Sequence, residues 1–424
     1  MNNPSSGSVA FKTADFSRGA IQVVEGLQKA GFAAYIVGGA IRDLLLGQHP
    51  KDFDVATDAT PEQIKQCFRS ARVIGRRFQI VHVRAGAEII EVTTFRGHHS
   101  ASQNQQNSKA AESGRLLRDN VYGTLEEDAL RRDLTINALY YDFKSGELID
   151  ELGGAEDISR RLIRVIGDPE ERYREDPVRM LRVVRFAARL NFDLESATEA
   201  AIEPARHLLR EIPAARLFDE WLKLFMNGYS APTYSQLEQH RLLEALMGEV
   251  MTADGRRAAS RALQQSALRN TDRRVAEGRP VTPAFLLAAL LWPATEMRSQ
   301  HLEQAGESPL QAIHSAGQQI VAEVCHRLSI PRRFSLAMRD IWDLQPRLMR
   351  TQSKKATDIV AQRWFRAAYD LLLLREETEA MDRSCSQFWS EQQQKYPELV
   401  GSARAKSDQP PRRRGRGRRR PKAP

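Results

Sequence analysis

Two aspartates, Asp52 and Asp54, flank Phe53 in the stretch KDFDVATDAT. Read as a short strand, this stretch turns both carboxylates to one face. Like charges that close raise at least one pKa unless a cation neutralises them. Such a pair can hold divalent metal ions, which clamp the attacking and leaving oxygens of a phosphoryl transfer. A solvated strand end is the plain alternative. Two ions call for a third acid. Glu91, mid-strand in EIIEVTTF and on the face of Ile89 and Thr93, is the first choice, because a carboxylate buried there needs a cation. Asp133, in RRDLTIN, is the competitor.

Other residues suit a nucleotide. Gly38-Gly39, between an apolar run and a helix start, can turn backbone N–H groups toward a phosphate, although a diglycine is more often only a tight turn. Arg42, one turn on, adds a charged donor whose structural alternative is Asp43. RRDLTIN reads as helix, with Asp133 and Asn137 on one face and Arg132 beside them. These three could serve a ribose and a phosphate, or form a surface ion-pair cluster. In REDPVRMLRVVRF, Asp176 and Arg179 sit three apart, and Arg182 and Arg185 continue the spacing. A carboxylate acceptor and a forked guanidinium donor can read a base edge. An ordinary ladder of exposed ion pairs would look the same. His82, His98 and His99 lack metal-ligand spacing.

These residues need elements to place them. Residues 17–30 read as an amphipathic helix and 33–37 as a short apolar strand ending at the diglycine. Thr60-Pro61-Glu62-Gln63 and Thr124 to Glu127 are capping boxes that open helices. FQIVHVRA and EIIEVTTFR read as strands around a tight turn, and YYDFKSGELID as a hairpin. Residues 97–120 are almost wholly polar, a length of loop that is either functional or disordered. Beyond Gly154 strand signals nearly vanish and helical periodicity runs to about residue 395.

The chain has 424 residues, of which 42% are hydrophobic, enough for two or three domains with real cores. Its three cysteines form no C-x-x-C pair, which argues against a zinc site or a disulfide framework and for a reducing cytoplasm. No stretch reaches the roughly 20 apolar residues of a membrane helix, and the N-terminal residues lack the pattern of a secretion signal. The net charge is +9, and the last 24 residues alone carry ten Lys/Arg against one Asp, so the rest is formally neutral. Arg412, Arg413, Arg414, Arg418, Arg419 and Arg420 belong to this Pro- and Gly-rich end, which suits an RNA-binding arm.

Taken in order, YIVGGAIRDLLLG, KDFDVATDATPEQI, EVTTFR, EEDALRRDLTINAL, DELGGAEDI and REDPVRMLRVVRFAARL resemble the class II nucleotidyltransferases of the polymerase-beta-like superfamily. That family contains CCA-adding enzymes and bacterial poly(A) polymerases. VIGRRFQIVHV, FRGHH, LLRDNVYGTLEEDA and the helical remainder are similar to the poly(A) branch. The resemblance implies an α+β head with the polymerase-beta-like fold, an all-helical neck and body, and a disordered basic tail. The expected boundaries are a flexible 1–16, a head at 17–153, a neck at 154–215, a body at 216–400 and a tail at 401–424.

It further implies addition of AMP from ATP to RNA 3′ ends without a template, with release of pyrophosphate and promotion of RNA decay. Asp52, Asp54 and Glu91 would hold two Mg2+ ions, and Asp133 would share the catalytic role. Gly38, Gly39 and Arg42 would hold the triphosphate. Arg132 and Asn137 would lie along the nucleotide, and Asp176, Arg179 and Arg182 would face the adenine. RNA 3′ ends, ATP and RNA-decay proteins are the implied partners. The alternatives are a CCA-adding enzyme and a non-catalytic RNA-binding protein; intact acidic motifs speak against the second.

Overall fold

The computed structural model describes residues 11–75, 79–97, 108–110, 116–119, 122–251, 258–351, 355–379, 381–400 and 402. The basic end with its six named arginines, His98, His99 and most of the 97–120 segment lie outside them. The described chain divides into two compact units, one of residues 1–220 with 232–246, the other of 221–231 with 247–424.

The first unit is built on a seven-stranded sheet. Helix α1 (Arg18–Lys29) precedes strand β1 (Ala34–Val37), and α2 (Gly39–Leu45) precedes β2 (Asp54–Thr57). Helix α3 (Pro61–Cys67) leads to the meander β3 (Arg72–Ile74), β4 (Ile80–Ala85) and β5 (Glu88–Thr94). A separate ribbon pairs β6 (Ser108–Ala110) with β7 (Leu116–Asp119). Helix α4 (Leu125–Arg131) is followed by the hairpin β8 (Tyr140–Asp142) and β9 (Glu147–Ile149). The strand order is β3-β4-β5-β2-β1-β8-β9. Within this sheet, among the described residues, only β2 and β5 run parallel, joined by a crossover through α3, β3 and β4.

Ser17 caps α1, and both expected capping boxes are present, Thr60 with Gln63 and Thr124 with Glu127. Val23, Val24 and Leu27 of α1 are fully buried, about 1.5–3 kcal/mol each. On the face that bears Val37 and Ala56, Phe95, Ala129 of α4 and Tyr140 complete a small core. Asp54 shares that face through its pairing with Val37. Beyond this core the face is open: Arg72, His82 and Glu91 are all partly or fully exposed on β3, β4 and β5.

The unit continues with α5 (Gly154–Ser159), α6 (Pro169–Glu175) and α7 (Val178–Leu190), then further short helices. One small exception to the helical expectation is β10 (Leu162–Ile163), parallel to β11 (Asp193–Leu194). The second unit is helical. Helices 283–304, 309–325, 332–348, 365–378 and 384–395 supply most of its core. Two of its buried indoles also make hydrogen bonds: Trp342 donates to the Ala288 carbonyl at 3.0 Å and Trp389 to that of Leu348 at 2.7 Å. Among the described residues, no helix is long and apolar enough to cross a membrane.

Candidate active site

The parallel pairing of β2 and β5 sets Asp54 directly opposite Glu91. Aligned residues on neighbouring strands project to the same face, with backbones about 4.8 Å apart. The third carboxylate departs from the sequence reading. Asp52 lies before β2, not within it, because β1 ends at Val37, the partner of Asp54. Gly38 then turns the chain off the sheet with φ 77°, so no strand remains to pair with Asp52. Glu91 is also paired across the sheet with His82, whose Nε2 is 3.3 Å from its Oε1.

Asp54 is open to solvent on one side and crowded by protein on the others. Burial and then the charge of Glu91 push its pKa up to about 6; Asp52 adds to the rise and Arg132 opposes it. Among the described residues, no three His, Cys, Asp or Glu side chains are gathered closely enough to hold a metal ion by themselves. The donor set still fits a hard divalent cation. Two carboxylates stand in register with a third nearby, and magnesium ordinarily completes its shell with water and substrate phosphate.

Gly38 and Gly39 form the turn from β1 into α2. The Gly38 N–H donates to the Leu139 carbonyl at 3.0 Å. A Cβ at Gly38 would stand at an ordinary 3.5 Å from Arg132 Nη1 and from the Asn137 carbonyl oxygen, so it is the left-handed backbone of the turn, not crowding, that calls for glycine. Arg42 is turned into the protein. It is 2% exposed, donates through Nε and Nη2 to Asp43 Oδ1 at 2.8 and 2.6 Å and through Nη1 to Asn137 Oδ1 at 2.6 Å, and lies over the Phe186 ring.

RRDLTIN is not the helix its spacing suggested. Helix α4 ends at Arg131, and the backbone is extended at Arg132 and Leu134 before a 3-10 turn at Thr135–Asn137. A bridge from Leu134 to Val165, with Ile166 N–H donating to the Asp133 carbonyl at 3.2 Å, draws the segment out. Asp133 and Asn137 nevertheless meet, Asn137 Nδ2 donating to Asp133 Oδ1 at 3.3 Å. Arg132 is held by Asp128 and Tyr140: its Nη2 donates to Asp128 Oδ2 at 3.0 Å and its Nε to Tyr140 Oη at 2.9 Å. Burial opposes its charge, but Tyr140 and Asp128 outweigh burial and raise its pKa.

Asp133 faces Arg182 rather than the Asp54–Glu91 pair. Arg182 Nε donates to Asp133 Oδ2 at 2.5 Å. Burial alone would raise the Asp133 pKa; the charge and hydrogen bonds of Arg182, with help from Asn137 and Arg179, reverse this and hold it well below the usual carboxylate range.

The expected base-reading helix also begins later than the spacing suggested. Asp176 is the residue after α6, extended at φ −147°, as a residue preceding proline prefers. Its Oδ2 accepts from Arg216 Nη2 at 2.7 Å. Arg179 Nη1 donates to Glu175 Oε2 at 2.8 Å. Asp176, Arg179 and Arg182 thus each have an opposite charge as partner. Arg185 differs. Its Nε is buried without a hydrogen bond, and burial followed by the charge of Arg182 lowers its pKa to about 10. The i, i+3 spacing marked this residue, but nothing in the sequence set it apart from Arg182.

Residues 34–164 match the family model of the poly A polymerase head domain, 191–253 that of a probable RNA and SrmB-binding site of polymerase A, and 305–422 that of the polymerase A arginine-rich C-terminus. The chain is 45% identical over 423 residues to poly(A) polymerase I of Salmonella typhimurium, covering 98% of this chain and 91% of that one. Similarity to a CCA-adding enzyme of Lactobacillus helveticus is 39% over 215 residues, 51% of each chain. Among solved structures, the CCA-adding enzyme of Bacillus stearothermophilus in complex with CTP superposes with a TM-score of 0.63 at 26% identity, over 92% of this chain and 83% of that one. With a polymerase-beta-like head, a helical remainder and this near-full-length similarity, the chain belongs to the poly(A) polymerase family of nucleotidyltransferases.

Proposed function

We propose that the chain adds AMP from ATP to RNA 3′ ends without a template, releasing pyrophosphate. The in-register pair Asp54–Glu91 carries the chemical part of this reading, since it sets carboxylates side by side where phosphoryl transfer needs metal. Asp54, Glu91 and Asp52 would hold two Mg2+ ions. When bound, these would neutralise the triphosphate and stabilise the attacking and leaving oxygens. The protein's own part is positioning. The Gly38–Gly39 turn receives the triphosphate, and Arg185, whose buried Nε makes no hydrogen bond, supplies a cation to it. Arg132 and Asn137 lie along the nucleotide, and Arg42 fixes Asn137. Asp176, Arg179 and Arg182 face the adenine, with residues 154–215 as a neck that holds them.

Asp133 acts in this scheme as the anchor of Arg182, and Glu91 as the third acid. The arginine-rich end binds RNA, the similarity at 191–253 to a probable RNA and SrmB-binding site supports a further RNA contact there, and RNA-decay proteins are the remaining proposed partners. The test is incorporation of each of the four nucleotides on oligo(A) and on tRNA lacking its CCA end, with and without Mg2+. Long A-tails from ATP and little use of CTP are expected, and Arg179→Ala should lower the ATP-over-CTP ratio without changing metal dependence. Stopping after C, C and A on the tRNA, with no tail on oligo(A), would make the chain a CCA-adding enzyme.

A further inference from the structure

The open face of the sheet carries a second group of charged residues that the nucleotide site does not use. Successive pairings place Asp54, Glu91, His82 and Arg72 in one row across β2, β5, β4 and β3. At its outer end lies a cleft of about 420 Å³ lined by Arg69, Arg72, Arg84, His82, Ile74 and Ile89 among others. Among the described residues, no carboxylate lines it. This contrasts with Asp176, Arg179 and Arg182, whose opposite charges are already in place. Ile74 and Ile89, 46% and 56% exposed, give the cleft an apolar floor amid its guanidinium groups.

The chemistry of transfer fixes what should stand there. In-line displacement puts the attacking hydroxyl and the departing pyrophosphate on opposite sides of the α-phosphorus. On the reading above, the triphosphate lies toward β1, at the Gly38–Gly39 turn. The attacking 3′-hydroxyl must therefore approach from the β5 side, and its own chain must continue over β4 and β3. Arg72 stands three strands from Asp54, about 14 Å at the usual strand spacing. That is the reach of the last few nucleotides of an RNA strand rather than of its distant body.

We infer that the cleft of Arg69, Arg72, Arg84 and His82 binds the 3′-terminal phosphodiesters of the RNA primer, with Ile74 and Ile89 lying under its sugars and bases. This assignment rests on the polymerase reading but adds a primer track separate from the nucleotide site and from the arginine-rich end. It predicts a binding mode indifferent to sequence, since guanidinium groups and aliphatic side chains read charge and shape only.

The test is the double variant Arg72→Ala/Arg84→Ala in the full chain, assayed with short oligo(A). The KM for the primer should rise about tenfold, and the salt slope of RNA binding should fall by roughly 0.7 for each phosphate no longer neutralised. The KM for ATP and the melting midpoint should stay as in the wild type. Arg72→Lys/Arg84→Lys should restore most of the salt slope. Neutral methylphosphonate linkages at the 3′-terminal positions should weaken binding to the wild type but add little to the double variant. An unchanged primer KM and slope, or methylphosphonate effects that simply add to those of the variant, would overturn the assignment. If the wild type itself extended no RNA, the polymerase reading would fail; a wild type that extends RNA beside an indifferent variant would remove only the primer track.

Discussion

Asp133→Asn separates an anchoring role from a metal-binding one. The Asp133 side chain is 14% exposed and that of Arg182 32% exposed, so the pair is largely withdrawn from water. Asparagine keeps the shape and can still accept from the Leu134 N–H, which now lies 2.9 Å from Asp133 Oδ1. It cannot answer Arg182: the charge is gone, and an amide N–H can face the guanidinium donors. Removing one partner of a buried ion pair costs about 3–5 kcal/mol; with Arg182 partly wetted, about 2–3 kcal/mol is expected here. For a unit of this size that is a fall in melting midpoint of about 4–12 °C. The pH dependence has a defined sign. A carboxyl whose pKa is depressed on folding contributes stability above its unfolded value, and that stability is lost as pH falls. The variant should therefore lose less stability on acidification than the wild type. Thermal melts over a pH series give both quantities, and steady-state assays add the third: KM for ATP should rise while the Mg2+ concentration for half-maximal rate stays put. A wild-type melting midpoint together with a raised Mg2+ requirement would show that Asp133 is a metal ligand.

Glu379→Gln tests burial in the second unit. Glu379 is pushed up to about 7 by burial and by Glu296, against Arg375, so the native state keeps a proton that the unfolded chain has released. Stability should then decline as pH rises from about 4.5 to about 7, by at most about 3 kcal/mol, and the variant should melt like the wild type below this window but above it in alkaline buffer. Gly154→Ala would put a Cβ 2.3 Å from the Thr135 carbonyl oxygen. Backbone must shift, at about 1–3 kcal/mol, and the displaced turn carries Asn137, so both the melting midpoint and the rate should fall; an unaltered midpoint would refute the steric clash. Truncation after Val400 should flatten the salt dependence of RNA binding by roughly 0.7 for each phosphate the tail neutralises, while the rate at saturating primer persists.

The regular parts of the head were readable because their signals are local. Thr60 and Thr124 announce helices whose caps depend on residues three positions away. Alternation along β4 and β5 marks Glu91 for the open face whatever strand lies beside it. The departures have distant causes. RRDLTIN has helical spacing, yet the bridge from Leu134 to Val165 outweighs it, and Val165 belongs to a segment well beyond the motif. Asp52 follows the alternation of its own stretch, but the strand that would pair with it ends at Val37. The inward turn of Arg42 depends on Asn137, and no spacing announces that bond. Pro177 did carry a legible warning that Asp176 would stand outside α7.

The one parallel seam in the sheet also dictates when the head can acquire its chemistry. On one side, β3, β4 and β5 form a meander whose pairings are local; on the other, β1 and β2 pair across the single connection that holds α2, and β8 and β9 form their own hairpin. Each can begin to form early, since closing a short loop costs little entropy. The β2–β5 pairing closes a longer one and must join two preformed pieces. Asp54 and Glu91 stand on opposite banks of that seam. In refolding, amide protection in the hairpins should therefore precede the return of activity. A fragment ending before β5 would hold the diglycine turn and Asp54 yet have no carboxylate facing it.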